Sequence, residues 1–241
     1  MLGYNTLFNL RLLFTQPYIM PTNTKKEVHN YLTFLKNQPK GFVYVEKDKP
    51  KQNTCSKQPQ LDQLKTQYNN CQACPLATQG RSQVVFGRGW AQAQLMFIGE
   101  GPGRDEDRQG QPFVGRAGQL LSKIIAAMNI NEDNVYITNV VKCRPPNNRA
   151  PLPEESGTCK DLLLFKEIDI IQPKVICALG STAVKALLGD HLAISKIRGQ
   201  FLDFRGYPLL PTYHPAYLLR NPAEKRTVWE DMKKVMEKLA E

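Results

Sequence analysis

Residues 94–118 read QLMFIGEGPGRDEDRQGQPFVGRAG. An unbroken apolar run, Leu95 to Ile98, ends in a stretch (99–118) that holds six of the chain's sixteen glycines, two prolines, a group of acids and a single aromatic ring, Phe113. A short continuous apolar run closed by glycine reads as a strand buried on both faces. Downstream the theme repeats. GRAGQLLSKIIAAMNI (115–130) has helical spacing, NVYITNVVK (134–142) reads as a strand, and LPEESGTCKDLLLFKEIDIIQ (152–172) as a helix with Glu154 and Glu155 in its first turn. KVICALG (174–180) is a strand, STAVKALLG (181–189) a helix with Ser181 as its expected cap, and PLLPTYH (208–214) a fourth strand; Asn221–Pro222 opens a last helix. Apolar strands alternating with helices predict an α/β fold with a parallel sheet covered on both faces.

Ligands of such sheets sit in the crevice at the carboxyl ends of the strands. Those ends are Gly99–Glu100, Asn139, Gly180–Ser181 and Tyr213–His214. The glycine-rich stretch is no Walker loop, and Glu106 breaks the G-x-G-x-x-G pattern, so neither familiar nucleotide cradle applies. Glycines at a strand end do let a ligand approach the main chain closely. Asn139 offers both donors and acceptors to the edge of a flat heterocycle. A bare loop, a ring, a carboxamide and the imidazole of His214 are all expected at one sheet edge, which makes this edge the candidate binding site. His29 and His191 fall away from the strand ends and read as ordinary histidines. Asp105, Glu106 and Asp107 read as a solvated loop rather than as metal ligands.

The chain has 241 residues, 41% of them hydrophobic, and no apolar run long enough to span a membrane. Its net charge of +10 points to a polyanionic partner such as nucleic acid. Most of that excess lies in residues 1–60, which hold nine basic and three acidic side chains. Residues 1–19 read either as a targeting peptide or as the product of an early start, with Met20 the alternative. TKKEVHNYLTFLKNQ (24–38) reads as a short amphipathic helix and KDKPKQNTCSKQPQ (47–60) as a basic linker. The chain therefore divides into an extension, 1–60, and a domain, 61–241, which opens on a helix carrying Leu61, Leu64 and Tyr68.

Of the six cysteines, Cys177 sits in an apolar run and Cys55 in the polar linker, neither with an evident partner. Cys71 and Cys74 form C-x2-C; after 68 intervening residues Cys143 and Cys159 form C-x15-C. Four thiolates suit tetrahedral zinc or a cubane iron–sulfur cluster, and spacing does not separate the two. Two disulfides are the alternative, disfavoured in a cytosolic chain.

The set GEGPGRDEDRQGQPFVGRAG, TNVVKCRPP, the four cysteines and HPAYLLR resembles the family 4 uracil-DNA glycosylases, over roughly residues 61–241. The resemblance implies a three-layer α/β/α sandwich around a central four-stranded parallel sheet. It implies a [4Fe–4S] cluster on Cys71, Cys74, Cys143 and Cys159. It also implies a DNA repair activity: uracil flipped from single- or double-stranded DNA is hydrolysed from its sugar, leaving an abasic site with no lyase step. Phe113 would stack on the uracil, Gly99 and Asn139 would meet it, and His214 would donate to its O2. Gly101 stands where family 1 enzymes carry an aspartate, so Glu100 and Gly101 would hold the water through main-chain groups. Gly103 stands where family 1 has a thymine-excluding tyrosine, and Glu100 is the substitute expected here. Pro102, Gly103, Ser181 and Arg220 would meet the DNA backbone, while Tyr217, Leu218 and Leu219 would form the wedge that replaces the flipped base; core packing is the alternative for the two leucines. A cytoplasmic monomer of bacterial or archaeal type is the corresponding expectation.

Overall fold

The computed structural model describes residues 57–241. The helix expected over 24–38, the linker up to residue 56, the alternative start at Met20, and His29 and Cys55 all lie outside the described residues. Helix α1 (Lys57–Tyr68) begins four residues before the expected boundary. Pro59, which had marked linker, falls in its first turn, where a missing N–H removes nothing the helix would have used. Leu61 and Leu64 are its buried positions, and Lys57 Nζ donates to the Ile171 carbonyl at 2.7 Å.

The sheet has six strands: β1 (Arg88–Gly89), β2 (Leu95–Gly99), β3 (Tyr136–Asn139), β4 (Val175–Leu179), β5 (Leu202–Phe204) and β6 (Tyr207–Thr212), in the order β1-β3-β2-β4-β6-β5. The central four run parallel, as expected. Two short antiparallel edges, β1 on β3 and β5 on β6, are additions to that expectation. Successive side chains of the central strands go to opposite cores. Met96, Ile98, Ile176, Ala178 and Leu209 face one; Leu95, Phe97, Val175, Cys177 and Leu210 face the other.

The helices complete the sandwich. On the second core lie α3 (Arg116–Ala127), α8 (Pro215–Arg220) and α9 (Lys225–Ala240). On the first lie α1, a continuous helical stretch over 153–171, and α6 (Ser181–Leu188). The long stretch comprises α4 (Pro153–Cys159), a π-helical turn (Lys160–Leu164) and α5 (Phe165–Ile171). Its π turn starts directly after Cys159. Helix α6 begins at Ser181 itself; its cap position is Gly180, at φ +89°, so the serine expected as cap is the first helical residue. The acidic stretch after β2 is not a solvated loop. It forms a short helix, α2 (Arg104–Gln109), in which Asp107 is buried and accepts the N–H of Ser82 at 2.9 Å. A short helix α7 (Ile194–Ile197) precedes β5. Connections leaving β2 and β6 turn to one face and those leaving β3 and β4 to the other, so the carboxyl ends open into a crevice.

Candidate active site

Gly99 and Asn139 are direct partners across β2 and β3 at that crevice. A Cβ at Gly99 would stand 2.5 Å from Asn139 Oδ1 and 2.5 Å from Phe113 Cζ. The bare backbone at the end of β2 is therefore the floor on which an amide and a ring converge. The His214 ring lies 5.6 Å from the Phe113 ring, with 29° between their planes. The four residues expected at one edge thus stand together.

Phe113 reaches this place in an unusual conformation. Its φ is +56°, in the left-handed region that an aromatic residue avoids, at a penalty of roughly 1–3 kcal/mol. Several contacts hold it there. Glu106 accepts the N–H groups of Val114 (3.0 Å) and Gly115 (2.8 Å) with one carboxylate oxygen. Arg88 donates to the Pro112 carbonyl at 3.1 Å and pairs with Glu132. Gly118, in the first turn of α3, lies against the Phe113 main chain, where a Cβ would come within 1.9 Å of its carbonyl oxygen. Glu106, Arg88 and Gly118 were not among the expected site residues. The run of acids beside the glycines was the available signal for Glu106.

Asn139 is 3% exposed, yet among the described residues its carboxamide makes no hydrogen bond to protein and is not sealed away. His214 is fixed by its own helix. It precedes α8, and its Nδ1 accepts the N–H of Ala216 at 3.1 Å. An amide nitrogen can only donate, so Nδ1 is unprotonated and the proton of the neutral ring sits on Nε2. Burial, with the Arg220 charge adding to it, pushes the His214 pKa down to about 4. The imidazole is therefore a neutral Nε2–H donor at ordinary pH. Gly180 gives it room, since a Cβ there would lie 2.9 Å from His214 Cβ.

The Gly99 carbonyl accepts the N–H of Val140 (2.9 Å) and the Glu100 carbonyl that of Val141 (3.1 Å), so the β2–β3 pairing continues past the strand ends. The Glu100 side chain has no protein partner among the described residues. At Gly101 a Cβ would press to 2.6 Å from Val141 Cγ2, so the missing side chain there also serves packing. Of the expected DNA contacts, Ser181 and Arg220 are exposed and Gly103 is half-buried at the head of α2. Pro102 is buried and offers little surface to a partner. Leu218 is a correction: it is wholly buried in the core beneath α8 and cannot enter a duplex. Its neighbour Leu219 is exposed, beside a half-buried Tyr217 whose ring lies 4.9 Å from that of Tyr213.

Away from this crevice, Cys71, Cys74, Cys143 and Cys159 line a single cavity with Arg81. All five cysteines among the described residues are free, which removes the disulfide reading. Arg81 donates to Cys143 Sγ at 2.8 Å and the Lys142 N–H to Cys159 Sγ at 3.2 Å. Burial pushes the Cys143 thiol up, and the Cys159 thiol up to about 12, so a metal would have to displace their protons. Among the described residues, no group of three or more potential ligands is arranged to hold a metal ion.

The family model of the Uracil DNA glycosylase superfamily matches residues 86–233, a span that runs from just before β1 well into α9. The chain belongs to this superfamily. Within it, the chain is 46% identical over 178 residues to a type-4 uracil-DNA glycosylase of Thermotoga maritima, covering 72% of this chain and 92% of the relative. It is 41% identical over 186 residues to the type-4 protein of Sulfurisphaera tokodaii, covering 73% and 84%. A type-5 uracil-DNA glycosylase of Pyrobaculum aerophilum is more distant, at 31% over 182 residues, covering 62% of this chain and 79% of the relative. Type-4 proteins are thus the near relatives.

Proposed function

We propose that this protein is a monofunctional uracil-DNA glycosylase, which flips uracil out of DNA and hydrolyses its bond to deoxyribose. The observation that carries this is the convergence over Gly99 of a ring on a strained backbone, an amide with no partner among the described residues and a neutral imidazole donor. Phe113 stacks on the flipped base, an interaction worth about 1–3 kcal/mol. That is the size of its backbone strain, so the loop must be held by Glu106 and Gly118 before the base arrives rather than by the base itself. Asn139 reads the base's Watson–Crick edge. His214 donates from Nε2 to uracil O2.

As the C1′–N1 bond breaks, its electron pair passes into the uracil ring and the charge grows at O2, where the His214 donor already stands. Fixed donors at such a place are typically worth about 10²–10³ in rate. Water then bonds to C1′ and its proton goes to solvent. With glycine at position 101 no carboxylate supplies a strong base there, so leaving-group stabilisation takes the larger share. The Glu100 carbonyl, which among the described residues accepts one N–H, keeps a lone pair for that water. Glu100 is also the group proposed to reject the thymine methyl.

Cys71, Cys74, Cys143 and Cys159 would hold a [4Fe–4S] cluster. Four soft thiols lining one cavity, two of them receiving N–H donors, have the donor chemistry of such a cluster, and the type-4 relatives support that reading over zinc. When bound, the group supplies a structural tie between distant chain segments and no redox step. The DNA backbone would run past Gly103, Ser181 and Arg220, with Tyr217 and Leu219 at the gap left by the base. The same reading has the protein act as a monomer in the cytoplasm on single- or double-stranded DNA; no helix among the described residues is long and apolar enough to cross a membrane.

The test is an oligonucleotide with one uracil, treated with enzyme and then alkali. A strand break at uracil, absent at thymine and cytosine, is expected, as is a large loss in His214→Ala and Asn139→Ala with the brown cluster colour retained. Intact strands with the brown wild-type protein would overturn the proposal.

A further inference from the structure

Behind Asn139 lies a charged pair that the chemistry above does not use. Lys142 is completely buried and Glu167, on α5, is 1% exposed. Lys142 Nζ donates to Glu167 Oε2 (2.6 Å), to the Asn139 main-chain carbonyl (2.8 Å) and to Thr138 Oγ1, which employs all three of its protons. Glu167 Oε2 also accepts the Thr138 hydroxyl (2.8 Å), while its Oε1 accepts the Gly87 N–H (3.1 Å) and the Tyr136 hydroxyl (3.2 Å). Such pairs are seldom retained for stability, because apolar residues of similar volume do as well or better once desolvation is counted. What this pair does is geometric. It grips β3 at Tyr136, Thr138 and Asn139 in succession, and the ammonium bends back three residues to fix the peptide plane from which the Asn139 side chain springs. The main-chain N–H of Lys142 meanwhile binds Cys159 Sγ.

We propose that Lys142 and Glu167 are positioning residues for Asn139: they set the carboxamide at the height of the base edge. This rests on the reading of Asn139 as the group that meets uracil. The pair acts through Asn139 and touches no substrate, so its removal loses rate only where Asn139 is present to be misplaced.

The experiment measures single-turnover uracil excision by the full-length, cluster-containing protein, normalised to cluster absorbance, alongside DNA affinity and melting temperature. The variants are Lys142→Met/Glu167→Leu, Asn139→Ala and their combination. The double variant is expected to lose between about 10- and 10²-fold in rate, as a displacement near 1 Å does, with DNA affinity and cluster absorbance unchanged. In the Asn139→Ala background the same two substitutions should change the rate less than twofold. An unchanged rate in the double variant, or an equal loss in both backgrounds, would overturn the proposal. If Lys142→Met/Glu167→Leu does not fold, Thr138→Val carries the same comparison, since it removes one hydroxyl from the network and keeps the volume; it should show a smaller loss that again vanishes without Asn139. Excision by Asn139→Ala at the wild-type rate would instead refute the base-reading role itself, a result distinguishable from failure of the pair.

Discussion

His214 is held neutral by its position, and the pH dependence of the enzyme should reveal it. With its pKa near 4, the folded protein keeps the ring uncharged far below the ordinary histidine value of 6.5. The single-turnover rate is therefore expected to show no histidine limb between pH 8 and pH 5, and to turn down only towards pH 4. A fall centred near 6.5 would contradict this. The same displacement bears on stability: between about 4 and 6.5 the unfolded chain binds the extra proton, so His214 adds stability as pH rises through that window and removes it as pH falls. Arg220→Gln takes away one of the two causes, and the acid limb should move upward in pH. Gly99 gives the sharpest substitution at this scale. Gly99→Ala places a methyl where Asn139 and Phe113 converge. Excision should drop by about 10²-fold or more, because the methyl would push apart the amide and the ring that converge there.

The loop and helices around Phe113 explain why glycine, acid and ring occur together in the opening stretch. The glycine at 118 admits the Phe113 main chain to α3, and Glu106 fastens the two amides that follow the ring. Gly118→Ala is expected to destabilise the protein by about 1–3 kcal/mol or more, read by denaturant titration, since neither backbone can retreat without losing the other. Glu106→Gln, which leaves a poorer acceptor for both amides, should slow excision more than it lowers the melting point. What the sequence made legible follows from the same physics. The four apolar strands were plain because burial on both faces demands an unbroken apolar run, and their ends named Gly99, Asn139 and His214 before any contact was known. Helix α2 was hidden because six residues, three of them acidic, form no apolar stripe; Asp107 is buried by backbone amides from a distant segment, which no local pattern reports. The edge strands β1 and β5 were too short to alternate. Lys142 closed an apolar strand as if reaching solvent, and only its partner Glu167, distant in sequence, reveals it as interior. Leu218 and Leu219 are adjacent and alike in composition, and the turn of α8 alone decides that one is core and the other surface.

Across the whole molecule, charge and chemistry are separated. The excess of positive charge lies mainly before residue 61, whereas the converging site residues lie beyond it. Binding to undamaged DNA should therefore weaken with salt, and a chain beginning at residue 57 should bind DNA less tightly and with a smaller salt slope while excising uracil at an unchanged saturating rate. Arg220→Gln should weaken binding to damaged and undamaged strands alike, reducing the slope by about 1. The most direct measurement of the central claim is the identity of what leaves the DNA. A single-turnover reaction on a strand with one uracil, resolved by mass, should yield free uracil in equal amount to abasic strand, with the backbone intact until alkali is added. Release of no base, or a backbone cut without free uracil, would contradict the account.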